Sequence, residues 1–213
     1  MIHDMPYDVI VGIIAENIEE SKAENPNGVT KDQFSNFFLL LIEKTGFHSN
    51  AADFIACTLD KSPNKKDINE NPKNDDDENK DPGLILHEDV SWFFDVIKNK
   101  DLITIHKLLF IYNNPKCMLN RPLKSLIDYG YAVCPDKEKN EIEDTVDALI
   151  KKNITRMTFE KAYKQFTGND LPQNQTNPYK DIPVKYVEYI EPEPEVENKE
   201  AKDGTNSKCC LLL

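Results

Sequence analysis

The stretch Gly28-Val29-Thr30-Lys31-Asp32-Gln33-Phe34-Ser35-Asn36-Phe37-Phe38 decides the fold, because it joins the end of a loop to the start of an amphipathic helix. Thr30 followed by Gln33 is a capping-box pattern, which marks a helix N-terminus. Apolar residues then recur at 34, 37, 38, 41 and 42, which is the spacing of one helix face. Gly46 is a suitable residue to end that helix.

The pattern occurs a second time at residues 83–94, and less regularly at 119–127 and 157–166. In the first two copies a branched aliphatic residue, Val29 or Ile85, lies five residues before the first apolar residue of the helix. Amphipathic segments precede the four copies at 8–20, 50–60, 101–113 and 141–152. The sequence therefore predicts four helix–loop–helix units in succession.

This order resembles the EF-hand, or calmodulin-like, superfamily over most of residues 8–166. The resemblance implies an all-α fold made of two pairs of EF-hand-like helix–loop–helix units. It also implies short β-pairing between neighbouring loops, of Val29 with Ile85 and of Leu119 with Met157. An unrelated helical bundle that happens to share the spacing is the alternative interpretation.

Composition divides the chain into four segments. Residues 6–60 hold the first unit and the start of the second, and residues 83–167 hold the remaining units. The polar segment 61–82 has no apolar periodicity, so we expect a disordered insert. Residues 168–213 are rich in Pro, Glu and Asn and are expected to form a disordered acidic tail. An apolar island at 184–190 is interpreted as part of that linker, with docking onto the domain or a partner as the alternative.

The loops depart from calcium-binding chemistry, which needs oxygen donors at loop positions 1, 3 and 5 and a closing Glu at 12. Aligned on Val29, the first loop offers Lys22, Glu24 and Pro26, with Gln33 at the closing position. The third loop region lacks a carboxylate, and the fourth is basic and about three residues short. The weak metal candidates are Asp67, Asn69, Asn71, Asp75, Glu78 and Asp89. We predict no cofactor and little or no Ca²⁺ binding, with a true calcium sensor that retains one site as the alternative.

The last residues, Cys209-Cys210-Leu211-Leu212-Leu213, match a prenylation signal at a free C-terminus, and the final Leu favours a geranylgeranyl group on Cys210. One lipid gives only marginal membrane binding, and the tail has no polybasic stretch. We therefore predict palmitate on Cys209 as a second anchor. The expected location is the cytoplasmic face of the plasma membrane or an endomembrane. A structural helical protein that is never lipidated is the alternative.

Composition and motifs together limit the classes of function that this chain could have. The 213 residues carry a net charge of -12, which argues against a nucleic-acid partner. No phosphate-binding Gly-rich loop is present, and no catalytic constellation stands out, so neither nucleotide binding nor enzymatic activity is expected. The aromatic residues of the two helix starts are expected to form core or to line a groove for an amphipathic helix: Phe34, Phe37, Phe38, Trp92, Phe93 and Phe94. The predicted function is a membrane-anchored, EF-hand-like protein-binding adaptor.

Overall fold

A computed structural model describes residues 5–60, 84–114 and 118–183. Within these ranges the helices are α1 (Tyr7–Glu24), α2 (Lys31–Lys44), α3 (Ala51–Leu59), α4 (His87–Lys98), α5 (Leu102–Ile111), α6 (Ile127–Val133), α7 (Lys139–Lys151) and α8 (Phe159–Thr167). The strands are β1 (Val29–Thr30), β2 (Leu84–Ile85), β3 (Asn120–Pro122) and β4 (Arg156–Thr158). A short 3-10 helix, Leu123–Leu126, joins β3 to α6. The predicted all-α class is confirmed.

The start of α2 follows the predicted capping box. The Thr30 hydroxyl accepts a hydrogen bond from the backbone N–H of Gln33 at 3.2 Å, and the Gln33 side chain accepts one from the N–H of Thr30 at 2.9 Å. Two backbone donors that the helix itself leaves without partners are thus satisfied. The helix ends at Lys44, and Gly46 follows with a φ of 90°, a conformation that glycine adopts without a steric penalty.

Each strand pairs with one other strand, antiparallel, in the order β1 with β2 and β3 with β4. Val29 lies opposite Ile85, as predicted. The predicted pairing of Leu119 with Met157 is wrong by two residues, because Arg121 lies opposite Met157. A shift of two keeps the same strand face, and the apolar pattern favoured Leu119 over the charged Arg121.

One continuous core runs through both halves of the described chain. The halves meet where α3 packs on α5: the ring of Phe54 stacks on that of Tyr112 with centroids 4.4 Å apart. The backbone N–H of His48, between α2 and α3, donates to the carbonyl oxygen of Ala132 in α6 at 2.9 Å. None of the helices in the described ranges is long and apolar enough to cross a membrane.

The chain after α8 returns to the core instead of leaving it. Helix α8 ends at Gly168, which has a φ of 74°. Farther on, Ile182 is only 9% exposed and Tyr179 packs against the core. The predicted start of the disordered tail, at residue 168, is therefore too early, because Tyr179 and Ile182 pack against the core. Most of the tail, including the island at 184–190, Cys209 and Cys210, lies outside the described residues, as does the predicted insert at 61–82.

Candidate functional site at the paired loops

Three of the four positions of the first loop that correspond to metal ligands belong to helices, and the fourth, Pro26, lies in a turn. Helix α1 extends through Glu24, so Lys22 and Glu24 are helical residues, and the Lys22 ammonium lies 2.7 Å from a Glu19 carboxylate oxygen. At the closing position, the Gln33 side chain is engaged by the backbone N–H of Thr30. Metal ligation by Gln33 would thus break the cap of α2.

Hydrogen bonds within the protein hold this first loop. The His87 ring at the start of α4 places Nε2 2.7 Å from the carbonyl oxygen of Asn25. Since a carbonyl only accepts, Nε2 carries the proton and donates. The backbone of Gly28 approaches β2 so closely that a Cβ there would lie 2.3 Å from the carbonyl oxygen of Ile85. No local sequence pattern indicates the hydrogen bond from His87 to Asn25.

The metal candidates do not form a site in the described part of the chain. Asp89 lies in the first turn of α4 and is 3% exposed, where a carboxylate stabilises the positive end of the helix dipole. The other candidates, Asp67, Asn69, Asn71, Asp75 and Glu78, lie outside the described residues. Among the residues that the structure describes, no three His, Cys, Asp or Glu side chains come together as a potential metal-binding group.

The third loop is built around a buried arginine. Arg121 is 1% exposed. Its guanidinium donates to the carbonyl oxygens of Tyr112 at 3.0 Å, Asn113 at 3.4 Å and Ser125 at 2.9 Å, and also to that of Phe110. The guanidinium carbon lies 5.6 Å from the centre of the Phe110 ring, a distance at which a cation is attracted to the ring.

Charge explains why these carbonyl groups hold the arginine. Burial lowers the pKa of Arg121 to about 10, so the side chain stays cationic at neutral pH. The carbonyl groups of Phe110, Tyr112 and Asn113 are at or just beyond the C-terminus of α5, where the helix dipole is negative. Arg121 therefore places a fixed positive charge inside the loop. This role was not predicted, although a basic residue at the position that Val29, Ile85 and Met157 occupy in the other strands was a signal.

The fourth loop is a tight turn that is tied to the third. The backbone N–H of Ile154 donates to the carbonyl oxygen of Leu149 at 3.1 Å, and that of Leu123 donates to Thr155 at 2.8 Å. The exposed guanidinium of Arg156 donates from Nε to the carbonyl oxygen of Asn120 at 3.0 Å. Main-chain hydrogen bonds and two arginines thus hold the second loop pair.

The predicted aromatic groove is mostly core. Phe34, Phe38 and Phe93 are fully buried, with ring centroids 4.7 to 5.3 Å apart. Because α2 and α4 close on each other through these rings, none of the three is open to a partner. The other predicted groove residues, Phe37, Trp92 and Phe94, are partly buried against the same core.

A second aromatic cluster surrounds His106, which is only 7% exposed. Its ring lies 5.0 Å from that of Phe47 and 4.8 Å from that of Tyr163. Its Nδ1 is 3.2 Å from the Tyr129 hydroxyl. Burial lowers the pKa of His106 to about 4, so the ring is neutral at physiological pH.

Comparisons with protein-family models, with curated proteins and with solved structures find no match to this chain.

Proposed function

We propose that this protein is a membrane-anchored adaptor for other proteins, built on EF-hand-like units whose loops are stabilised by protein groups in place of calcium. The order helix–strand–helix and the antiparallel pairing of β1 with β2 and of β3 with β4 support the EF-hand-like interpretation. The described parts of the first, third and fourth loops argue for a fixed conformation instead of one that an ion controls.

The buried guanidinium of Arg121 is the observation that carries this proposal. It donates to four carbonyl oxygens of the third loop region, which are the kind of hard oxygen ligand that Ca²⁺ would need. A dication brought next to this guanidinium would meet like-charge repulsion in a poorly solvated region. In the first loop the cap formed by Thr30 and Gln33 closes the loop without an ion.

Calcium titration tests the proposal that Ca²⁺ does not control the conformation of this protein. We expect no saturable binding heat when the full chain is titrated with CaCl₂ to millimolar concentration, and the same Tm in EDTA and in CaCl₂. A saturable heat with a raised Tm would favour the calcium-sensor alternative. In that case the Asp75→Asn, Glu78→Gln double variant asks whether the ion binds at residues 67–78.

Lipidation is the second part of the proposal and requires Leu213 to be the C-terminal residue of the cellular protein. The test is fractionation of cells that express the full chain, with mass spectrometry of its C-terminal peptide. Cys210→Ser should move the protein from the membrane pellet to the soluble fraction. Cys209→Ser should weaken the association without abolishing it, since the prenyl chain remains. An unmodified C-terminal peptide would support the non-lipidated alternative.

A further inference from the structure

Residues 177–183, here called the strap, cross the surface of α5 and the third loop without forming a helix or strand. Each hydrogen bond described here between the strap and the domain involves a side chain on one side. The Lys107 ammonium donates to the carbonyl oxygen of Lys180 at 3.3 Å, and the Tyr179 hydroxyl donates to that of Met118 at 3.4 Å. A segment held in this way, without a backbone ladder, belongs to the parts of a protein that open most easily.

The surface under the strap has buried polar groups. Lys107 is 2% exposed and Asn114 is 5% exposed. The Asn114 amide donates to the carbonyl oxygen of Met118 at 2.9 Å and to the Tyr179 hydroxyl, and its oxygen accepts from the Met118 N–H at 3.2 Å. This amide is therefore fixed in orientation by the third loop, in the way that a preformed binding site requires.

The charge and shape of this surface determine which peptide side chains can bind to it. Burial lowers the pKa of Lys107, whereas the negative charges of Asp181 and Asp101 raise it. A carboxylate near this ammonium therefore stabilises its charged form. Ile182 places an aliphatic side chain in the core. The strap thus supplies an aromatic hydroxyl, a carboxylate and an aliphatic group in the sequence Tyr179-Lys180-Asp181-Ile182.

We propose that the surface formed by Lys107, Asn114 and Met118 is a binding site for a peptide of the form Tyr-x-acidic-aliphatic that adopts a turn, as the strap does at residues 178–181, and that the strap occupies this site until such a partner displaces it. This inference rests on the proposed role in protein binding and names the surface that performs it.

Because the strap is part of the same chain, its effective concentration at the site determines how well a separate peptide can compete with it. A segment joined by a short flexible linker has an effective concentration of about 1 mM. A free peptide of equal intrinsic affinity at about 10 μM is then at a roughly 100-fold disadvantage. Substitutions that release the strap should therefore reveal binding that the wild-type chain largely masks.

Fluorescence polarisation with a labelled synthetic peptide of residues 175–183, Gln-Thr-Asn-Pro-Tyr-Lys-Asp-Ile-Pro, tests the inference on the full chain. The Tyr179→Ala, Ile182→Ala double variant should bind this peptide at least 10-fold more tightly than the wild type. Adding Lys107→Met or Asn114→Ala to the double variant should reverse most of that gain. Gln173→Ala, an exposed position outside the strap, is the matched control and should bind like the wild type.

Equal binding to the wild type and the double variant, or binding that ignores Lys107 and Asn114, would overturn the inference. If the double variant does not fold, Tyr179→Phe keeps the ring and removes only the hydroxyl, and it should give a smaller gain in the same direction. No gain with a folded Tyr179→Phe protein would then be the refuting result. Failure here is distinct from failure of the proposed function, because the calcium titration and membrane fractionation do not involve this surface.

Discussion

The two strand pairs of this protein have the same geometry and opposite chemistry. In the first pair the facing residues Val29 and Ile85 are both fully buried aliphatics. In the second pair the facing residues are Arg121 and Met157, and the arginine is as deeply buried as the aliphatics. A buried charge is tolerated only when polar groups surround it, and carbonyl oxygens at the end of α5 meet that need.

The contrast shows two ways in which protein groups hold a loop between helices. The first pair relies on apolar burial, a helix cap and the close approach of Gly28 to β2. The second relies on a cation that belongs to the chain. The two strategies should fail differently: loss of an apolar contact leaves a cavity, whereas loss of the cation leaves buried carbonyl groups with fewer donors.

The largest effect is expected from Arg121→Met, which keeps most of the apolar length and removes the guanidinium. Breaking a buried charged contact of this kind costs about 4 kcal/mol of unfolding free energy. Urea denaturation measures the change. Arg156→Met is the matched control, since this guanidinium also bonds a loop carbonyl but is exposed, and it should cost about 1 kcal/mol or less. Equal costs for the two variants would refute the role given to Arg121.

Gly28→Ala should break the first pair almost as strongly. The new Cβ would overlap the Ile85 carbonyl oxygen, and the φ of 152° is itself unfavourable for alanine, so we expect a loss of about 3 kcal/mol. Gly46→Ala is the control, because Gly46 has a φ of 90° but no atom within 4 Å of the added carbon. It should cost about 1 kcal/mol in the same denaturation experiment. A Gly28→Ala loss no greater than this would show that the strands can separate freely.

A pH dependence is expected at the junction between the two halves, where Phe47, Tyr129 and Tyr163 surround His106. The folded-state pKa of about 4 is below the ordinary 6.5, so folding favours the neutral ring. Its contribution is complete above pH 6.5 and is lost as the pH falls from 6.5 towards 4. Between pH 7 and 5 the loss is roughly 2 kcal/mol.

Denaturation at several pH values measures this effect against His106→Gln, which cannot titrate. The variant should be less stable at pH 7 but should show a shallower pH dependence than the wild type. Parallel curves for the two proteins would mean that other groups control the acid sensitivity.

The smallest effect concerns the helix caps that follow the strands. Thr30→Ala removes the hydroxyl of a reciprocal capping box and should lower the unfolding free energy by about 1 kcal/mol. Thr158→Ala removes a single longer contact, 3.5 Å from the Lys161 N–H, and should cost about half as much. Thr30→Ser is the control and should keep nearly full stability. If Thr158→Ala costs more than Thr30→Ala, the second pair depends on its cap as well as its cation.

Local periodicity explains which features of the fold could be predicted from the sequence. The cap at Thr30 and the helices around it follow from short-range patterns, whereas the pairing of Val29 with Ile85 was implied by the resemblance to EF-hands. The structure agrees with these predictions. Arg121 was missed because it stands where the pattern requires an aliphatic residue, and only the carbonyl groups of a separate helix end explain its burial. The burial of His106 was not predicted for a similar reason, since its neighbours come from α6, α8 and the segment between α2 and α3.

The strap was missed because its anchors have neither helical nor strand periodicity. Tyr179 and Ile182 lie among Pro, Asn and Lys residues, a composition that is typical of an exposed linker. The strap is bonded to Lys107 and Asn114, which are distant in sequence. Contacts of this kind cannot be inferred from one local window.

The first strand pair also fixes the two ends of the segment that connects α3 to β2. The Lys31 ammonium lies 3.5 Å from an Asp60 carboxylate oxygen, while the neighbouring Thr30 pairs with Leu84. The residues before and after this connection are therefore both anchored at the start of α2, Asp60 through Lys31 and Leu84 through Thr30. Since closure entropy grows only slowly with loop length, evolution or protein engineering is free to shorten this connection, lengthen it or fuse another domain into it while leaving the helices on either side undisturbed.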